Sequence, residues 1–141
     1  MRLIRILAVV AVLATGVLAA LPGIAYTVAL ARVDGRPQPA DPDRYSAAAL
    51  ETAWRQCSEW MPLATHRLDP WTLVLDRLDG TVASRAGELA AWQVARAHNS
   101  KGGNRGNLWW HSSGAALTIW ISRHWSARQI AATVARDGLC G

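Results

Sequence analysis

Phenylalanine is absent from this 141-residue chain, lysine occurs once (Lys101), and there are only two cysteines, two methionines and two tyrosines. With two cysteines, no disulfide-rich scaffold can form. A single lysine leaves the basic character to arginine. Acidic residues are few as well, 10 Asp+Glu against 15 Lys+Arg. No charged residue occurs between Arg5 and Arg32, so Ile6 to Ala31 is an uninterrupted uncharged run. Short-spaced zinc-ligand pairs are missing too. His98, His111 and His124 recur every 13 residues, without the close pairs such sites use. What the chain has instead is eight tryptophans and a hydrophobic share of 51%.

The uncharged run is longer than the ~20 residues a helix needs to cross a bilayer core. Pro22 and Gly23 interrupt it, a break that membrane helices tolerate. Arg2 and Arg5 before it favour a cytoplasmic N-terminus and an exported remainder. A cleaved signal peptide is the rival reading, with Ala29-Leu30-Ala31 as a small-x-small site. The run exceeds the ~7–15 residues of a signal core, which favours an uncleaved anchor. The expected location is therefore a bacterial inner membrane, single-pass, with a periplasmic domain.

The chain divides into an anchor over 1–31, a proline-bearing linker over 32–44 and one folded domain over 45–141. Cys57 and Cys140 form one disulfide in an oxidising compartment, or else remain two buried thiols. Without Arg2 and Arg5, the exported part keeps a surplus of three positive charges. That surplus suits phosphate-bearing lipids or glycan carriers; no nucleic-acid partner is expected.

Five helical segments are predicted in the domain, and no strand. Tyr45 to Cys57 carries Leu50, Ala53, Trp54 and Cys57 at helical spacing, and 58–68 is irregular. Asp69-Pro70 starts a second helix, an N-cap carboxylate followed by proline at the first helical position. Gly87 to His98 is the third. Asn99 to Asn107 reads as a polar loop. Leu108 to Arg123 is the most apolar segment and the expected central helix. Ser126 and Gln129 form a capping-box pattern that starts the last one. The fold class is all-α, and most tryptophans are assigned to the core.

Several residues carry candidate chemistry. Glu59 sits in the irregular stretch, where a carboxylate in an apolar cleft can act as a general base. His66 follows seven residues later. Arg96, Lys101 and Arg105 flank or lie in the glycine-bearing loop, a way to hold a pyrophosphate.

From Glu59 onward the chain resembles the family 51 peptidoglycan glycosyltransferases, the lysozyme-like domain of penicillin-binding proteins and monofunctional transglycosylases. Glu59-Trp-Met-Pro-Leu-Ala-Thr-His66, followed by Leu68-Asp69-Pro70-Trp71, keeps the family's Glu-to-His separation. Gly87-Glu-Leu-Ala-Ala-Trp-Gln93-Val-Ala-Arg96 looks like its Gly-Ser-Thr-Ile-Thr-Gln-Gln-Leu-Ala-Arg/Lys helix. Ala115 to Ser126, with Ile130, resembles its buried helix and following turn. The resemblance implies a partial, C-terminally truncated lysozyme-like domain extending glycan strands from a lipid-linked precursor. Glu59 is then the base, helped by His66. Gln93, Arg96, Lys101 and Arg105 line the substrate site, and a divalent metal (Mg or Mn) assists the pyrophosphate. The family's second glutamate falls on Gly114 and its adjoining lysine on Ser113. That loss makes a divergent, degenerate member the expectation. The alternatives are a non-catalytic module that binds lipid-linked precursor or glycan strands, and an interaction protein docking a larger cell-wall synthase through Trp109 and Trp110.

Overall fold

A computed structural model describes residues 2–58, 62–78, 85–102 and 106–141, with the side chains of 58 and 76–78 left aside. Among the described residues the regular structure is all helical. The helices are α1 (Arg2–Ala31), α2 (Ala47–Ser58), α3 (Pro70–Leu78), α4 (Glu88–Lys101), α5 (Asn107–His124) and α6 (Ala127–Asp137), with a short 3-10 turn at Pro42–Arg44.

α1 runs through Pro22 as one helix and is long and apolar enough to cross a membrane. Its two threonines are satisfied along the helix itself. Thr15 and Thr27 donate their hydroxyls to Ala11 O and Ile24 O, both at 2.9 Å. The last part of α1 is not free: the helix packs on α5 and α3, and Ala29 is buried.

The short helices begin where the sequence supplies caps. Ser46 Oγ accepts from Ala49 N at 3.2 Å and starts α2. At α3, Asp69 Oδ1 accepts from the backbone N–H of Trp71 (2.9 Å) and of Thr72 (3.0 Å). At α6, Gln129 N donates to Ser126 Oγ, and Ser126 N donates back to Gln129 Oε1, so two otherwise orphan donors are satisfied reciprocally.

The core lies between α2, α4, α5 and α6. Trp54, Leu50, Leu117, Ile121, Ile130 and Val134 are fully buried there. Many of the remaining contacts are small: Ala53, Ala90, Ala91, Ala95, Ala131 and Ala132 are buried too, which lets helix axes approach closely. The Trp54 indole N–H donates to Pro62 O at 3.0 Å, and its ring lies against Gly87. A Cβ at Gly87 would sit 3.0 Å from Trp54 Cη2 and 3.1 Å from Ala64 O, and its φ is +82°. Only glycine meets both demands.

Two segments depart from expectation. Asn99 to Lys101 is not loop but the last turn of α4, because Asn99, 3% exposed, donates to Ser113 Oγ on α5 at 2.8 Å. The proline-bearing segment 32–44 is not a free spacer either. Val33, Pro37 and Ala40 are buried, and Ala40 N donates to Thr133 Oγ1 on α6 at 2.9 Å.

Of the two states left open for the cysteines, the disulfide is the one formed. Cys57 and Cys140 are bonded with Cα atoms 5.2 Å apart and a sequence separation of 83. The bond ties the end of α2 to the turn after α6. Closing a loop of that length restricts the unfolded chain by about 4–5 kcal/mol in the chain-entropy picture, and measured effects run about 2–5. Reduction, or Cys140→Ser, is therefore expected to lower the unfolding free energy of the detergent-solubilised chain by about 2–5 kcal/mol in urea titrations. An unchanged midpoint on reduction would show the bond to be dispensable.

The Thr72 backbone N–H holds the Asp69 carboxyl below the usual carboxylate range. The Thr72 hydroxyl, the Trp71 N–H and Arg123 add to this, against partial burial that pushes it up. The folded value is depressed, so this contribution is complete above the unfolded value of about 3.9 and is lost as pH falls through the folded one. Asp69→Asn should flatten the acid limb of the stability–pH curve below about pH 4. Identical acid limbs for parent and variant would count against Asp69 as the titrating cap.

Candidate functional site

An apolar groove of about 640 Å³ lies between α3, α4 and α5, lined by Leu73, Val74, Glu88, Leu89, Trp92, His111 and Ala115. It abuts a smaller cavity of about 160 Å³ at Leu73, Val74 and Ala115. That second cavity is walled on its far side by Pro22, Ala25, Tyr26 and Ala29 of α1. The groove therefore opens beside the long apolar helix.

Trp92 forms the floor. Its ring lies so close to Gly114 that a Cβ there would fall 2.7 Å from Cζ3 and 3.0 Å from Cη2. The ring's other neighbour is Trp110, edge-on at 5.7 Å between centroids. Arg96 in turn places its guanidinium 5.4 Å from the centre of the Trp110 ring, a cation–π arrangement. Among the described residues, two titratable groups line the groove, Glu88 and His111. Glu88 Oε2 accepts from Arg85 N at 3.2 Å and so serves the start of α4. His111 is exposed, with its ring edge-on to Trp110 at 4.9 Å.

No protein-family model, curated protein or solved structure matches this chain. The site is therefore read from its own residues.

The residues singled out from sequence do not gather in one place. Glu59 and Arg105 lie outside the described residues. His66 is held at the start of α4: its backbone N–H donates to Ala86 O at 3.1 Å, and its Nε2 lies 3.0 Å from Arg85 Nη1. A guanidinium can only donate, so Nε2 accepts and the ring proton sits on Nδ1. Lys101 is the last residue of α4, so about 20 Å of helix separates it from His66. Arg96 and Lys101 also diverge around the helix at about 100° per residue. Arg96 faces Trp110 on the groove side. Lys101 faces a separate cavity of about 210 Å³ that it shares with Arg36, Arg136 and Asp137. Gln93 is half-buried on α4, one residue past Trp92.

A divalent metal finds no donor set among the described residues. Among the described residues no group of three His, Cys, Asp or Glu comes together. At position 114, where the resemblance calls for a carboxylate, the space belongs to the Trp92 ring.

Trp109 and Trp110 are both half-buried. Among the described residues, the large apolar side chains exposed outside α1 are Trp71, Val74, Leu75, Leu89 and Leu108. Sequence reasoning missed the groove because its floor depends on a tryptophan and a glycine 22 positions apart. A glycine inside the most apolar helix was the available signal, since such a residue usually has a packing reason.

The Trp92–Gly114 contact makes a signed prediction. Gly114→Ala should destabilise the parent by about 1–3 kcal/mol through overpacking. In a Trp92→Gln background the ring is gone, and the same change should stabilise by up to about 1 kcal/mol from helix propensity. Thermal unfolding of the four chains in detergent checks this; the same sign in both backgrounds would rule out the contact as the cause.

Proposed function

We propose that this chain is a membrane-anchored, transglycosylase-like domain of the bacterial cell envelope that holds the apolar chain of a lipid-linked glycan precursor. The observation that carries the reading is the apolar groove on Trp92, adjoining a cavity walled by α1. A helix of that length and hydrophobicity suits an inner-membrane anchor with its N-terminus cytoplasmic. A groove that opens at its flank suits a ligand delivered through the lipid phase.

The motif order from Glu59 to Ser126 supports the glycan side of the proposal. The packing at Gly114 supports binding in preference to polymerisation. In the resemblance, Trp92 stands at a glutamine position and Gly114 at the second glutamate. A polar pair has been exchanged for a ring lying on a bare backbone, and both positions are needed for one contact. Restoring a carboxylate at 114 alone would force it into the indole. Without that acid the resemblance offers no second carboxylate for the pyrophosphate, and Arg96 lies against Trp110. On this reading the precursor is bound and presented, not extended.

Binding of a polyprenyl-pyrophosphate disaccharide to the full chain in nanodiscs tests the proposal. Ala115→Trp fills the groove and should weaken binding about tenfold or more, the loss of ~1.4 kcal/mol or more of apolar contact. Glu59→Gln should leave affinity within about twofold, a difference of less than ~0.5 kcal/mol, and neither parent nor variant should polymerise. Unchanged affinity in Ala115→Trp removes the groove assignment. Polymerisation by the parent that Glu59→Gln abolishes would make the chain an enzyme instead.

A further inference from the structure

Three apolar side chains occupy one face of α3. Trp71, Val74 and Leu75 are 41%, 39% and 46% exposed, and their i, i+3, i+4 spacing puts them side by side. This face is fixed relative to α1, because the Trp71 indole N–H donates to Ala19 O across 3.0 Å. The bond falls in the turn where Pro22 withholds its own N–H.

That bond sets a depth. Counted from Ile6, the first residue past Arg5, the ~20 residues of a membrane span end near Tyr26. Ala19 lies seven residues before that boundary, about 10 Å inside it at 1.5 Å per residue. The Trp71 indole is carried to the same level. At the boundary itself, the Arg123 guanidinium lies 5.8 Å from the centre of the Tyr26 ring, and an aromatic beside a cation is what the headgroup layer favours. Raising α3 into water would raise Ala19 with it. Only about 14 residues of α1 would then remain below, near 21 Å, too short for a ~30 Å core.

We propose that α3 is an interfacial helix whose Trp71, Val74 and Leu75 face lies among the acyl chains of the bilayer that α1 crosses. The domain then sits in the membrane surface and not above it. This rests on the reading of α1 as a membrane span. An embedding of about 5–10 Å is the depth at which such helices lie. The polar end of α3 fits the same placement: Arg123, which lies over the Tyr26 ring, donates to Leu68 O just before the cap Asp69.

The test reconstitutes the full chain in phosphatidylcholine vesicles containing a lipid with a photoactivatable diazirine on its acyl chain. After irradiation, tryptic peptides are scored for crosslinked lipid. Peptide 6–32 reports α1, peptide 68–77 reports α3, and peptide 45–55 on α2 is the control. Labelling of 6–32 and 68–77 is expected several-fold above 45–55. Leu75→Asp, or the milder Leu75→Ser, should cut labelling of the 68–77 peptide several-fold and leave 6–32 unchanged. Labelled 6–32 with 68–77 at control level overturns the seating of α3 and leaves the anchor standing. Both at control level removes the anchor and the seating together. Labelling of 68–77 that neither Leu75 variant alters overturns the assignment of the embedded face.

Discussion

The ring of Trp92 resting on the bare backbone of Gly114 sets how closely α4 and α5 approach. Those two helices share the most extensive interface in the molecule, and the groove exists because their separation is fixed there. Above the contact, Ala115 and Leu89 line an apolar trough. Beyond it, the ring leads on to Trp110 and then to the Arg96 cation. That contact thereby decides the character of the site. It makes the floor water-averse, leaves no room for an acid, and draws a cation into packing.

The second constraint lies between the domain and its own N-terminal helix. α1 is held by α5 and α3 over its last turns, and the segment after it is drawn into the core through Val33 and Ala40. Thr133 is central to this arrangement. It is 1% exposed, accepts from Ala40 N, and donates to Gln129 O at 2.8 Å. A buried hydroxyl with both roles filled carries little desolvation cost, so the proline-bearing segment can lie on α6 without an orphan amide. With the disulfide at the opposite end of α2, both flanks of the helical domain are secured.

Much of the fold was legible because its signals are local. The Asp69-Pro70 start is read from two residues and the Ser126/Gln129 box from four, and the apolar content of α5 announces a buried helix. What escaped was set by distant partners. Asn99 reads as loop until Ser113 is seen to satisfy it. The segment 32–44 has the composition of a spacer, and only Thr133 makes it structure. The site suffered most from this. His66 and Lys101 were expected to serve one site, yet they lie at opposite ends of α4, and Arg96 is turned away from Lys101 by the helical period. Gly114 was visible as a missing acid, but why nothing else fits there is visible only with Trp92 in place.

The hydrogen bond from Trp71 to Ala19 has a consequence for how such a molecule searches. A domain on a loose stalk sweeps a hemisphere and meets ligands arriving from solution. One clamped to its own membrane helix has almost no radius of action. With α1 in a bilayer, encounters reduce to lateral diffusion within a single leaflet, where surface density and not bulk concentration governs how often the groove is filled.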